Sequence, residues 1–235
     1  MQAFKITFHL ASDMAYPSMP LHLDALLAYA VTQDNLITLD DNATNDDILA
    51  LSDDMPIEKH EQDGEWVYKA SALIPEGPMT HSRQFYTQRQ DVPEMASLVA
   101  EGKVKLGRYK GEPMPPMSFK NKVDTTRGHQ RNLLGYFNTT SVRKLIAYCV
   151  ADGDFLEEYL IDSGWITHIG GRRRQGLGQL SHIEIQEDDS GFEMWQQRVK
   201  PFSLADDDTP IMATCRPPYW DQTKVQKAFI PCDLA

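Results

Sequence analysis

Cysteine is scarce: Cys149, Cys215 and Cys232 are the only three in 235 residues, and no two form a Cys-x-x-Cys pair. An odd number at wide spacing argues against a disulfide framework and against a cysteine zinc site. Reduced thiols in a cytoplasmic protein are expected instead. Long apolar runs are also missing, and none approaches the roughly 20 residues that cross a bilayer. The first residues lack the charged, apolar and small-residue regions of a signal peptide, so no membrane is expected as a partner. There is no Gly-x-Gly-x-x-Gly fingerprint with a downstream acid, and no Gly-Lys-Ser/Thr closing a phosphate loop. The acidic pairs Asp40-Asp41, Asp46-Asp47 and Asp53-Asp54 lack EF-hand spacing and its turn glycine. Neither internal repeats nor low-complexity tracts occur. A 41% hydrophobic share still suffices for an ordinary core, in one large domain or a small one with an insertion.

Charge is present but segregated. The formal net charge is −11, which alone argues against a nucleic-acid partner. Residues 77–144, however, hold twelve Lys/Arg and five Asp/Glu, while residues 34–63 hold ten acids and one lysine. This pattern predicts a basic binding surface on an acidic body.

Phe4, Ile6, Phe8 and Leu10 alternate with Lys5, Thr7 and His9, the period of a half-buried strand, with His9 expected at the surface. A loop over 13–20 with Pro17 and Pro20 leads to a helix over Leu21–Thr32, buried through Leu23, Leu26, Leu27, Ala30 and Val31. Asp24 suits the positive end of its dipole, a structural role. The acidic stretch 34–63 is expected to be a solvated loop with one short helix, Asp46–Leu51. Glu65–Ile74 reads as one strand with Trp66, Tyr68, Ala70, Ala72 and Ile74 on one side. From Gly77 to Gly135 prolines are frequent and periodicity is weak. Regular structure is expected again at Val142–Val150, followed by a helix capped by Asp154, with Glu157 completing a capping box, and stopped by Gly164. A strand over Leu180–Gln186 follows, and residues 187–235 are expected to wrap the same domain.

Two stretches carry chemistry. His168-Ile-Gly-Gly-Arg-Arg-Arg-Gln-Gly-Leu-Gly178 places three arginines between glycine pairs. Free backbone amides in such a loop cradle anions, and guanidinium groups fork onto phosphate. The bland alternative is a tight turn with solvated arginines. In the segment 77–135, bases interleave with aromatics: Arg83-Gln84-Phe85-Tyr86, Arg108-Tyr109-Lys110 and Phe119-Lys120-Asn121-Lys122. Charge for phosphates and rings for unstacked bases are what single-stranded nucleic acid requires. The RNA-binding candidates are therefore Gly170, Gly171, Arg172, Arg173, Arg174, Gly176 and Gly178 in the loop. In the basic segment they are Arg83, Arg89, Lys120, Lys122, Arg127, His129 and Arg131.

The glycine–arginine loop ahead of a strand, together with the segment Pro20-Leu-His-Leu-Asp-Ala-Leu-Leu-Ala-Tyr29, resembles the RAMP superfamily of CRISPR-associated proteins. The helix segment is similar to that of the five-family subunit of type IV effector complexes. The resemblance implies an α+β fold with a ferredoxin-like (RRM-like) core, β-α-β-β-α-β, and the glycine-rich loop between the last helix and strand. It implies one domain over 1–235 with 77–135 as an inserted basic thumb. It also implies a ribonucleoprotein subunit that holds the 5′ handle of the guide CRISPR RNA and caps the backbone filament. Backbone and large subunits would be its partners, with target DNA reached indirectly. No cofactor, metal ligand or catalytic residue is expected. The superfamily also contains precursor-RNA endonucleases, so His81, Tyr109, Lys120 and His129 stand as an alternative cleavage set. A third reading is a protein-binding adaptor that uses the acidic face 34–63.

Overall fold

The computed structural model describes residues 1–15, 19–36, 50, 52–88, 93, 97, 100–101 and 132–234. The expected helix Asp46–Leu51, apart from Ala50, and most of the stretch between Arg89 and Arg131 lie outside these residues. The chain divides into two units, Met1–Ser82 with Thr139–Ala235, and Arg83–Asn138.

In the first unit, strand β1 (Gln2–Leu10) follows the predicted alternation, with Phe4, Ile6, Phe8 and Leu10 buried. Helix α1 (Leu23–Leu36) turns Leu23, Leu27, Ala30 and Val31 onto that row. Each such leucine or phenylalanine contributes about 1.5–3 kcal/mol when fully buried. Strands β2 (Lys59–Gln62) and β3 (Glu65–Tyr68) form a hairpin, and β4 (Ile74–Glu76) is short. After β5 (Thr80–Gln88) and β6 (Leu133–Ser141) come β7 (Lys144–Ala151) and the helix α2 (Gly153–Glu157), which continues as a π-helical turn over Glu158–Asp162. Strand β8 (Leu180–Glu187) completes a four-stranded antiparallel sheet of order β4–β7–β1–β8. Phe155, Leu156 and Leu160 from the second helical segment join α1 in the core on the Phe4–Ile6–Phe8 face. The opposite face carries three rows set by register: Tyr148–Lys5–Gln186, Ile146–Thr7–Glu184 and Lys144–His9–His182. The architecture is α+β with antiparallel sheets and few helices among the described residues.

Several expectations need correction. The strand predicted over Glu65–Ile74 is broken after Tyr68, because the buried Arg198 guanidinium takes the carbonyls of Tyr68 (2.6 Å) and Ala70 (2.9 Å). The cap of α2 is Asp152 rather than Asp154. Its carboxylate accepts from the Phe155 amide at 3.2 Å, since β7 runs to Ala151 and leaves no room for a later start. Regular structure also extends into the segment expected to lack it, as β5 and β6 pair with each other. His9 is not a plain surface histidine: its ring stacks on His182 with centroids 3.8 Å apart.

Residues 188–234 wrap the first unit and add a second cluster, Trp195, Val199, Phe202, Ala213, Cys215, Ala228 and Ile230 around Val67. Helix α3 (Gly191–Met194) leads into it, and β9 (Thr209–Ala213) pairs with β10 (Gln226–Ile230). A buried polar network ties this wrap to α1. Arg198 Nη2 donates to Asp24 Oδ2 at 3.0 Å, to the Cys215 carbonyl at 2.8 Å and to the Tyr219 hydroxyl at 2.7 Å, while that hydroxyl donates to Asp24. Asp24 therefore has the structural role expected, through a partner 174 residues away.

His22 belongs to the same network. Its Nε2 accepts the Val199 amide at 3.1 Å, and its ring stacks on Tyr219. Burial, with Arg198 beside it, holds its pKa well below the ordinary 6.5. A proton bound only in the unfolded chain makes stability rise with pH, so the His22 contribution is complete above about pH 6.5 and is lost as pH falls below it. The melting temperature should therefore drop between about pH 7 and pH 5, with the His22 ring NMR signal staying neutral throughout. A His22 signal that titrates near its ordinary value in the folded protein would contradict this.

Candidate nucleic-acid interface

The segment 168–178 is a held loop rather than an open nest of amides. The amides of Gly171 and Gly178 donate to the carbonyls of Ala15 (3.4 Å) and Asp13 (2.7 Å). Those of Gln175 and Gly176 close a 3₁₀ turn, Arg173–Gln175, onto Arg172 and Arg173. The expectation that free backbone N–H groups cradle an anion is corrected for these four amides, which are already spent inside the protein. The segment after β1 does the holding. Ser12 Oγ donates to the Gly176 carbonyl at 2.8 Å and accepts the Gln179 amide at 2.9 Å. Nothing in the sequence marked Ser12, because it contacts residues more than 160 positions away.

Two glycines are required by geometry. Gly178 is buried with φ +71°, and a Cβ there would overlap the Ile169 carbonyl oxygen. Gly170 has φ +86°, and a Cβ would stand 3.0 Å from the Ala15 carbonyl oxygen. Arg172 itself takes a left-handed conformation, φ 58°, sparsely populated outside glycine. The loop therefore closes tightly and leaves Arg172, Arg173 and Arg174 exposed. Arg172 Nη1 donates to Gln175 Oε1 at 3.4 Å, and the Arg173 guanidinium lies 5.1 Å from the centre of the Tyr29 ring on α1. The outcome is a fixed display of three permanent charges able to fork onto phosphate oxygens.

The second unit carries a different kind of surface. On its hairpin, formed by β5 and β6, Arg83 and Phe85 lie on one face, with the Arg83 guanidinium 4.4 Å over the Tyr136 ring and Phe85 6.0 Å from it. Phe85 is 67% and Tyr136 57% exposed. Tyr86 and Phe137 turn toward each other, and Gly135 leaves the space that Tyr86 fills. Exposed rings beside a guanidinium suit base stacking. Tyr136 was missed in the sequence, although its alternation with Leu134 was a usable signal.

Of the remaining candidates, Arg89, Lys120, Lys122, Arg127, His129 and Arg131 lie outside the described residues. The same holds for Tyr109, Lys120 and His129 of the cleavage set. Its fourth residue, His81, pairs through Nδ1 with the Thr140 hydroxyl at 3.0 Å. All three cysteines are free thiols. Burial pushes Cys149 up to about 12 and Cys215 up to about 11, which disfavours the thiolate form of both. No described helix is long and apolar enough to cross a membrane.

The sequence matches the family described as CRISPR type IV associated protein Csf3 over residues 2–231, nearly the whole chain, and the protein belongs to that family. None of the curated proteins matches it. The resemblance read from the glycine–arginine loop and the first helix thus holds at the level of a type IV CRISPR-associated protein.

Proposed function

We propose that the chain is the RNA-binding subunit of a type IV ribonucleoprotein, holding the 5′ handle of the guide CRISPR RNA and capping the backbone filament for RNA-guided DNA targeting. The observation that carries this reading is the loop 170–178, which holds three exposed arginines on a backbone fixed to β1 by Ser12, Asp13 and Ala15. A sheet of order β4–β7–β1–β8, with α1 after β1 and α2 after β7, supports a ferredoxin-like core. In that reading Arg83–Asn138 is inserted between the second and third core strands, and Phe85 and Tyr136 stack on unpaired bases. Guide pairing supplies sequence specificity, and the protein reads charge and shape. Backbone and large subunits are its partners in the cytoplasm, and it binds RNA without cleaving it.

Filter binding with a guide RNA over a salt series tests this. Substituting Arg172, Arg173 and Arg174 together by glutamine should weaken binding and reduce the salt slope by about 0.7 for each lost phosphate contact, roughly 2 for all three. An unchanged slope would remove the loop from the interface. Incubating the wild-type protein with repeat RNA, with and without magnesium, should leave the RNA intact. Specific cleavage that disappears in His81→Ala or His129→Ala would replace the binding role by the endonuclease.

A further inference from the structure

Given the RNA-binding role proposed above, on which this rests, we propose that His182 is a stacking platform for one unpaired base of the guide RNA, at the free edge of the four-stranded sheet beside the arginine loop. Strand register pairs His9 with His182 across β1 and β8. Their imidazoles stack with centroids 3.8 Å apart and planes inclined by 16°. The inner ring is mostly covered, with the His9 side chain 17% exposed, whereas that of His182 is 53% exposed. Strand β8 ends the order β4–β7–β1–β8, and no described strand pairs with its outer edge. The stack therefore presents the outer face of His182 to solvent.

Three contacts hold that ring in place. His9 covers its inner face. Its Nε2 lies 3.2 Å from Glu184 Oε1, two residues further along β8. Its Nδ1 lies 3.2 Å from the Ser181 hydroxyl, which donates to the His9 carbonyl at 3.1 Å. Both ring nitrogens and one face are engaged within the protein, so the other face is what remains for a ligand. Histidine is among the side chains on which unpaired RNA bases stack, and a ring already ordered loses little further freedom on binding. Glu184 decides which part of an RNA can sit here. Its carboxylate repels a phosphate, but not the face of a neutral base.

Position supplies the partner. The loop that carries Arg172, Arg173 and Arg174 runs directly into β8, and His182 stands four residues beyond Gly178, at most about 14 Å along an extended chain. Ser12, just after β1, binds the Gly176 carbonyl and the Gln179 amide, while Ser181 binds the His9 carbonyl. Loop and ring pair are thus anchored at the same end of the β1–β8 ladder. Cations that track a backbone beside a ring that takes a base are the combination by which single strands are held.

The test is a coupling measurement on the purified full chain. Guide RNAs with a single abasic nucleotide, placed in turn at each position of the 5′ handle, are titrated against wild type, His182→Ala and His182→Phe over a salt series. In wild type one abasic position should weaken binding about 5- to 150-fold, the range of a base–aromatic stack. His182→Ala should weaken binding of the intact RNA by a similar factor and leave the salt slope unchanged, since no phosphate contact is lost. In that variant the same abasic position should cost nothing further, because both changes remove one contact. His182→Phe keeps a flat ring without its nitrogens and should restore both the affinity and the abasic penalty. Affinity that survives in His182→Ala, or an abasic penalty that persists there in full, would overturn the platform and leave the proposed function standing. Equal losses in His182→Ala and His182→Phe would assign the ring to hydrogen bonding or charge and overturn stacking as well. Absence of RNA binding by the wild type would overturn the proposed function itself, and the platform with it.

Discussion

Replacing Arg198 by alanine is expected to destabilise the folded protein by about 3–5 kcal/mol, the usual consequence of removing one member of a buried ion pair. The guanidinium is fully buried. It donates to the carbonyls of Tyr68, Ala70 and Cys215 as well as to Asp24 and Tyr219. Its removal takes the arginine's hydrogen bonds from four carbonyls, those of Tyr68, Ala70, Val199 and Cys215, and leaves the Asp24 carboxylate without its cationic partner. Burial raises the Asp24 carboxyl above its ordinary value against the opposing pull of Arg198, so without the arginine that carboxylate is driven toward its neutral form. Arg198→Lys should rescue little, since one ammonium cannot reach acceptors placed around a planar fork. The measurement is urea unfolding of wild type, Arg198→Ala, Asp24→Asn and the double variant. The double variant should lose clearly less than the sum of the singles, because both remove the same ion pair. Strict additivity with a loss below about 1 kcal/mol would show that the network contributes little.

This network also marks where sequence reading stops. Strand β1 was legible because one face of it is fully buried, which imposes a period of two on Phe4, Ile6, Phe8 and Leu10. The buried stripe of α1 was legible for the same reason at helical spacing. Arg198 carried no signal at all. An arginine between Gln197 and Val199 looks like any surface residue, and only the closure of the wrap onto the α1 N-terminus makes it internal. The break after Tyr68 follows from that arginine and was invisible with it.

The candidate site divides in a similar way. The glycine–arginine composition pointed to the correct loop, because Gly170 and Gly178 answer to local positive φ and close backbone approach. Its mode of support did not show, since Ser12, Asp13 and Ala15 reach it from the other end of the chain. The pairing of His9 with His182 was hidden likewise. Alternation places His182 and Glu184 on one face of β8, but only inter-strand register places His9 beside them.

The second large effect concerns that loop, where Gly176 and Gly178 should respond very differently to alanine. Gly176 has φ +77° with open space where a Cβ would go, so Gly176→Ala meets only the left-handed backbone cost, about 1–2 kcal/mol. Gly178 has φ +71° and the same cost, but its Cβ would overlap the Ile169 carbonyl oxygen and come within 2.9 Å of that carbonyl carbon. Backbone cannot rotate aside as a side chain can. Relief requires the strands of the loop to part, which strains the Ile169 amide bond to the Gly178 carbonyl (2.8 Å) and the Gly178 amide bond to the Asp13 carbonyl (2.7 Å). Overpacking of this kind adds about 1–3 kcal/mol, so Gly178→Ala should lose about 2–5 kcal/mol in all. The loosened loop also loses the Ser12 staple that fixes where Arg172–Arg174 stand. Under the proposed function, Gly178→Ala should therefore weaken guide-RNA binding at a temperature where the variant is still folded, although every arginine is retained. Gly176→Ala should leave that affinity near wild type. Urea midpoints and RNA titrations on the two variants, run side by side, measure both effects. Equal losses in stability would refute the steric account of Gly178. Unchanged RNA affinity in a folded Gly178→Ala protein would show that the arginines act without the fixed backbone beneath them.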